Sequence, residues 1–411
     1  MAIFFIFRIL HQEGASMRNL KLFPYYIGFT YDFLFFGTVQ VLFLLLVKGI
    51  SASEILFLES FFALVRLIIQ IPLTKITKRL GNVFALRAGP IFTVLCLICF
   101  IIAPNIGIII LAYIFKAIGW GFQNLSYPSL IYYELRKDGK EKEYNIIQGK
   151  GQSIFSLVGA ISSFFAGVLF DVNAFIPIII CIVFHLVVIV ISFKIDVPNI
   201  KSSNENIQFF VKLRKVLNIK FFWHLFLFTS FAWGILGAYS RMNTTYFEVL
   251  NVSATNIGII FGLAGIIGYL VSKYQYKIEL VLKNQAFNIF AFILTVPFLI
   301  LGLLYYLNIN INTLILLGIV LTLGDQFVRS SFRIYTLEYL NSNADDSLRQ
   351  EALSLYYLFE SLGRIVITFI AGIILNHFDI GVSYIVFVLI LIIPTIIVTS
   401  LLSKDLKKQL K

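Results

Sequence analysis

Charge is scarce in this chain of 411 residues: Asp, Glu, Lys and Arg make up 13% of it, about half the share of a typical water-soluble domain, and 59% of residues are apolar. That deficit excludes an ordinary soluble globular domain. Together with a strongly positive mean hydropathy it predicts a polytopic membrane protein seated in a lipid bilayer. Cysteine and histidine are also sparse. Cys96, Cys99 and Cys181 lie inside apolar runs and the four histidines are scattered, so neither a disulfide framework nor a metal cluster is expected, and no cofactor is implied. No histidine pair, serine-histidine set or metal spacing sits at one membrane depth, which argues against a membrane enzyme. The net charge of +12 comes without a basic stripe interleaved with aromatics. Lysine-rich membrane loops account for it, and a nucleic-acid partner is not expected. The opening "MAIFFIFRIL" is broken too early by Arg8 for a signal peptide, Met17 is an alternative start, and the first sixteen residues are assigned no role in the fold.

Long apolar runs are what the chain has instead. A helix needs about twenty mostly apolar residues to cross about 30 Å of hydrocarbon. Twelve segments qualify, at approximately residues 22–47, 52–74, 84–103, 106–133, 150–170, 174–195, 221–247, 254–275, 285–307, 312–338, 350–377 and 380–402. The polar stretch "DVPNIKSSNENIQFFVKLRKVLNIK" is the natural division between halves. The expected organisation is an N-terminal cytoplasmic segment (1–20), a six-helix bundle (21–195), a cytoplasmic linker (196–220), a second six-helix bundle (221–403) and a cytoplasmic tail (404–411). Lysine and arginine set the orientation. With the amino terminus inside, Arg18, Lys21, Lys75, Lys78, Arg79, Arg87, Arg136, Lys137, Lys140, Lys142, the cluster at 201–220, Lys273, Lys277, Lys283 and the tail lysines are all cytoplasmic, against Lys48 alone outside. Both termini are therefore expected in the cytoplasm of a cell membrane, bacterial inner or plasma membrane.

The halves also repeat one another. "KGISASEI" (48–55) returns as "LNVSATNI" (250–257), each joining a first span to a second. "LVGAISSFFAGVLFD" (157–171) resembles "LGRIVITFIAGIILNHFD" (362–379), where a fifth span ends. Offsets of about 202 to 205, six spans apart, predict two parallel six-helix bundles related by an axis along the membrane normal.

These features resemble the major facilitator superfamily (MFS) over essentially the whole chain from Lys21, and more narrowly a bacterial branch of drug-efflux-like permeases. The likeness rests on six plus six spans, the central linker, a basic loop after the second span, and the segments "SLIYYELRKDGKEKEYNIIQGKGQSIFSLVGAISSFFAGVLF" and "DSLRQEALSLYYLFESLGR". The resemblance implies an all-α fold of twelve transmembrane helices in two bundles and a monomeric transporter. The superfamily's motif between the second and third helices is eroded. In "PLTKITKRLGNVF", Pro72, Arg79 and Gly81 match, but Thr74 replaces the first glycine, Lys78 the aspartate, and Asn82 and Val83 the basic pair, so the anchoring role of that aspartate does not carry over. The glycine pattern of the fifth helix, Gly151, Gly159 and Gly167, lacks its proline and reads as close packing.

Ionisable groups inside a span cost several kcal/mol unless paired or wetted, so they default to interior, functional positions. Nine lie near mid-depth: the acids Asp32, Glu59, Asp325 and Glu360, and the bases Arg66, Lys116, Arg241, Arg329 and Arg364. Their near balance predicts mutual pairing across a polar cavity between the bundles. Glu59, Ala63, Arg66 and Gln70 form one helical stripe, on which Glu59 and Arg66 stand about 10 Å apart and need partners on other helices. Asp325 with Arg329, flanked by Gln326 and Arg333, and Glu360 with Arg364 are spaced to close within their own helices, which leaves a purely structural ion-pair role open beside a functional one. Lys116 shares a face with Gln123 and Tyr127, with Trp120 as an aromatic wall. "KAIGWGFQN" resembles the fourth helix of proton-coupled family members, with lysine in place of the commoner arginine; neutralising Asp32 or Glu59 is the plainer alternative. Trp233, Tyr239, Arg241 and Asn243 are candidates for the facing wall. Glu134 and Glu338, at matching places in the repeat near cytoplasmic helix ends, join Arg79 and Gly81 as structural or gating residues. Asp32 is matched by Gly234 in the repeat, so no requirement shared by both halves explains it.

The expected function is a secondary active transporter working by alternating access on a small molecule. Proton coupling is assigned to Asp32 first and Glu59 second, since a carboxylate between basic partners can change charge as access alternates. Arg66, Lys116, Arg241 and Arg329 are expected to balance charge or hold a substrate anion. Export of an amphipathic compound follows from the branch resemblance alone. The alternatives are uptake of an anionic or zwitterionic metabolite by proton symport or facilitation, and a non-transporting scaffold or sensor.

Overall fold

Apolar segments in a bilayer must close their backbone hydrogen bonds within themselves, and this chain does so as helices. The structure, a computed structural model, describes residues 15–30, 32–137, 139–140, 143–195, 197, 214–217, 219–282, 285–307, 309–343 and 349–409. Its main helices are α1 (Ala15–Thr30), α2 (Gln40–Leu42, continued as a π-helical turn Phe43–Val47), α3 (Ala52–Leu80), α4 (Asn82–Ile102), α5 (Ile106–Lys137), α6 (Tyr144–Val172), α7 (Ile176–Lys194), α8 (Lys220–Val249), α9 (Ala254–Lys273), α10 (Gln275–Leu282), α11 (Ala286–Leu304), α12 (Ile311–Asn343), α13 (Arg349–His377) and α14 (Ile380–Gln409). Among the described residues, eleven helices are long and apolar enough to cross a membrane, and the chain is an all-α, multi-pass membrane protein. Most of the expected linker at 196–220 and the segment 1–14 lie outside the described residues.

The first span corrects the sequence reading. A continuous helix over 22–47 was expected, but the helix stops at Thr30 and resumes only at Gln40. The cause is local. The Asp32 carboxylate accepts the Phe33 amide at 2.7 Å, and the backbone turns through Leu34 N to Asp32 O (3.0 Å), Gly37 N to Phe33 O (2.6 Å) and Val39 N to Phe36 O (3.1 Å). Phe35 is driven to φ 66°. An aspartate that binds the neighbouring amide competes with the helical ladder, and Gly37 weakens the helix further.

The repeated "KGISASEI" and "LNVSATNI" fold alike, which gives the repeat a physical meaning. Each begins where a helix ends on a residue with positive φ, Gly49 (63°) and Asn251 (56°), as an αL cap requires. Each then starts the next helix on a serine. Ser51 and Glu54 form a reciprocal capping box, with Ser51 N donating to Glu54 (2.8 Å) and Glu54 N to Ser51 Oγ (3.3 Å). Ser253 Oγ accepts Asn256 N at 3.3 Å.

Packing divides the chain into two units, Met1–Gln40 with Ile68–Ser203, and Val41–Leu67 with Asn204–Lys411. In the first unit, Leu22, Phe23, Tyr26, Leu86, Leu130 and Val188 form a buried core. There α1 and α6 approach closely at Gly28 and Gly151: a Cβ on either would stand 2.5 Å or 2.7 Å from Ile154 or Ile27. In the second unit α8 and α13 cross at Gly363, where a Cβ would lie 2.0 Å from the Ser230 carbonyl oxygen. Small residues at such crossings let apolar helices gain dispersion contact in lipid. The start of α3 groups with this unit because Phe57 packs on Phe369 (5.3 Å between ring centres) and Ser60 donates to the Ile365 carbonyl at 2.8 Å.

Candidate functional site

The second unit gathers most of the mid-span charge, on α3, α8, α12 and α13. Glu59 of α3 finds its partner 182 residues away: Arg241 Nη2 of α8 donates to its Oε1 at 2.7 Å, both side chains remaining less than a fifth exposed. On α12, Arg329 donates to Asp325 Oδ2 at 3.3 Å and to the Leu236 carbonyl at 2.7 Å. The other carboxylate oxygen of Asp325 is buried and accepts no hydrogen bond among the described residues. On α13, Arg364 pairs with Glu360 at 3.2 Å and lies 5.0 Å over the Trp233 ring. Trp233 in turn donates to Tyr356 Oη at 3.3 Å, and Tyr356 shares a 2.9 Å hydrogen bond with Thr336. Arg66 of α3 stands 5.5 Å from the Phe62 ring centre, within electrostatic reach of Arg364, Glu360, Arg333 and Glu59. Arg333 lies 5.9 Å over Tyr357.

Two other expected residues of this unit serve packing. Asn243 is buried, accepting the Tyr384 hydroxyl at 2.9 Å and donating to Thr322 at 3.5 Å, which ties α8 to α12 and α14. Gln326 donates to Ser330 at 3.3 Å, and a Cβ on Gly268 would strike its amide nitrogen at 2.5 Å, so α9 and α12 meet there.

In the first unit Asp32 lies exposed on the break between α1 and α2, and among the described residues it forms no ion pair. The Lys116 ammonium of α5 sits over two aromatic rings, Phe33 at 5.0 Å and Tyr113 at 5.3 Å. Gln123 is buried, donating to Thr93 at 3.3 Å. Trp120 is 36% exposed. Arg79 is exposed at the end of α3, and Gly81 turns the chain into α4 at φ 98°, a conformation that favours glycine. Glu134 is buried near the end of α5 and accepts from Asn19 Nδ2 (3.2 Å) and Lys137 Nζ (2.8 Å). The side chain of Glu338 lies outside the described residues.

Sequence reasoning missed His185. It is buried in α7, its Nδ1 is 3.0 Å from the Cys181 carbonyl, its ring is 6.3 Å from Phe33, and Asp32 is within electrostatic reach. A carbonyl only accepts, so Nδ1 carries the proton and Nε2 is the basic nitrogen. The one available signal was a lone histidine inside an otherwise apolar span.

No protein-family model and no curated protein matches the chain. Solved structures do. A mutant of the nucleoside transporter NupG superimposes with a TM-score of 0.73 at 12% identity, covering 95% of this chain and 99% of that one. A POT family transporter in complex with 5-aminolevulinic acid gives 0.73 at 12% identity, covering 94% and 96%. A bacterial homologue of the human lysosomal transporter Spinster, inward-facing and unoccupied, gives 0.66 at 13% identity, covering 96% of each. All are MFS-type transporters, and the chain shares their fold.

Proposed function

We propose that this protein is a proton-coupled secondary transporter that moves a small molecule across a cell membrane by alternating access, with both termini in the cytoplasm. The reading is supported by the shared fold and by the concentration of charge inside spans that are otherwise apolar. The observation that carries it is Asp32, an exposed carboxylate on a break in the first span. Interrupted helices at membrane depth mark sites where ions and substrates are handled. Asp32 is assigned the proton, and Glu59 takes second place because it must first leave Arg241. Arg66, Lys116, Arg241, Arg329 and Arg364 balance charge beside the substrate. Arg79, Gly81, Glu134 and Glu338 belong to the ends of helices that change between access states.

Export of an amphipathic compound is the direction we favour, on the likeness of the loop segments to efflux permeases. Uptake of an anionic or zwitterionic metabolite is the second reading, favoured by the arginines of α3, α8, α12 and α13. Proteoliposomes loaded with a pH-sensitive dye test both. A panel of nucleosides, a dipeptide, 5-aminolevulinic acid and lipophilic amines is added under an imposed pH gradient, and proton flux is followed. At least one compound is expected to move protons through the native protein and none through Asp32→Asn. Undiminished flux in that variant would sink the assignment of Asp32.

A further inference from the structure

We infer that His185 is a second proton-binding residue of the Asp32 site, and that its charge governs the break between α1 and α2. The inference deepens the transport reading, on which its purpose rests, and concerns a residue that reading leaves unused. His185 stands on α7 and is 1% exposed. Its Nδ1 proton is committed to the Cys181 carbonyl at 3.0 Å, which fixes the tautomer and leaves Nε2 as the atom that can take a proton. Two links join the imidazole to the break. Its ring meets the Phe33 ring at 6.3 Å between centres and 70° between planes, and Phe33 is the residue whose amide the Asp32 carboxylate holds at 2.7 Å. Asp32 itself lies within electrostatic reach of both His185 and Cys181.

The other ionisable groups around this stretch of α7 come from each helix packed on it. From α5, Lys116 sits over the same Phe33 ring at 5.0 Å and over Tyr113 at 5.3 Å. From α4, Cys96 lies within reach of Cys181 and of Lys116, while Arg87 covers Phe193, about 12 Å further along α7. Tyr26 of α1 is turned to the Leu86 carbonyl at 2.9 Å, and α6 carries no ionisable side chain between Lys150 and Asp171. An imidazolium inside a span costs several kcal/mol unless a counter-charge meets it. Asp32 is the acid in reach, so the two groups titrate together: a proton on His185 is kept while Asp32 is a carboxylate and is released when Asp32 is itself protonated. Lys116, in contact with the same ring, repels a second cation there and makes the carboxylate indispensable to the balance. The mechanical consequence falls on Phe33. An imidazolium draws the carboxylate away from the Phe33 amide, whose bond to Asp32 stops the helix, and so loosens the turns over residues 33–39; neutral imidazole lets them close. His185 is thus a positioning residue, acting on the break through Asp32 and Phe33.

Hydrogen–deuterium exchange of the full chain in phosphatidylcholine nanodiscs tests this, read by mass spectrometry on peptides covering residues 33–39 and corrected for the intrinsic pH dependence of amide exchange. As pH is lowered from about 8 to about 5, protection of this segment in the native chain is expected to fall by about threefold or more. In His185→Asn it is expected to stay at the native level of the high-pH end, because the asparagine amide can still donate to the Cys181 carbonyl but takes no proton in this range. Asp32→Asn, a change at an exposed residue, is expected to be equally indifferent to pH. Peptides from α9 serve as the reference and should not respond. A native segment whose protection does not change with pH would overturn the inference whether or not the variants fold. A response that persists in folded His185→Asn or in Asp32→Asn, or that α9 shares, would overturn it as well. A break that responds through His185, in a protein that carries none of the compounds of the transport panel, would sink the transport reading and leave this inference standing. Gradient-driven flux lost in Asp32→Asn, with a native break indifferent to pH, would do the reverse.

Discussion

The Glu59 and Arg241 pair offers the sharpest quantitative test. Its N to O distance is 2.7 Å, at which two unit charges in an effective dielectric of about 20 attract by about 6 kcal/mol. Desolvating both groups in the middle of two helices offsets most of that gain, so the pair is worth little compared with an uncharged one but a great deal compared with half of itself. Glu59→Gln and Arg241→Gln, each of which strands one charge, are expected to lose about 2 kcal/mol. Glu59→Gln with Arg241→Gln together is expected to lose about 1 kcal/mol, because the double variant leaves no ion behind. The coupling energy is then about 3 kcal/mol. Unfolding of the purified protein by SDS titration in mixed micelles, followed by tryptophan fluorescence, measures all four corners of the cycle. A double variant whose loss equals the sum of the singles would refute the reasoning and mean that neither charge depends on the other.

Other outcomes follow from geometry described above. Gly363→Ala places a methyl group 2.0 Å from the Ser230 oxygen and should abolish a monodisperse peak in size exclusion. Gly149→Ala, where nothing lies within 4 Å, should leave it intact. Ser51→Ala removes a capping box and should cost about 1 kcal/mol in the same SDS titration, with Ser253→Ala costing less because Asn256 replaces the reciprocal glutamate. At the head of α14 the Tyr306 hydroxyl donates to the Asp379 carboxylate, which also caps Val382 N at 3.0 Å. Partial burial and that carboxylate push the Tyr306 hydroxyl up to about 12. A phenol whose folded value is raised stabilises below its unfolded value of about 10 and loses that contribution as pH rises toward 12. Melting temperatures should therefore fall more steeply over this window in the native chain than in Tyr306→Phe, and parallel curves would count against the bond.

What the sequence revealed and what it hid divides along physical lines. Local regularities were readable: the spacing of Asp325 to Arg329 and Glu360 to Arg364 is one helical turn, and both pairs close within their helices. The repeat at Ser51 and Ser253 was readable because a helix start needs a serine oxygen at one position. The partner of Glu59 was not, since periodicity places a residue on a face without saying which helix 182 residues on will meet it. The break after Thr30 was hidden for another reason. Hydropathy averages over the run, whereas one hydrogen bond from Phe33 N to Asp32 decides the backbone there. Buried His185 carried no pattern at all, its partners being a carbonyl in its own helix and residues on α1's continuation.

The interruption at residues 32–39 bears on how the chain enters a membrane. The piece that follows it, 8 residues over Gln40–Val47, is shorter than the run of about twenty residues that a translocon releases as a stable span. That piece is thus poorly able to partition alone, and the retention of α1 and α2 falls to later partners: α6, which grips α1 through Gly28 and Gly151, is synthesised more than a hundred residues afterwards. Membrane integration at the amino-terminal end is consequently a late, assembly-dependent event, and truncations that end before α6 are the ones in which glycosylation tags near residue 49 would report an uncommitted topology.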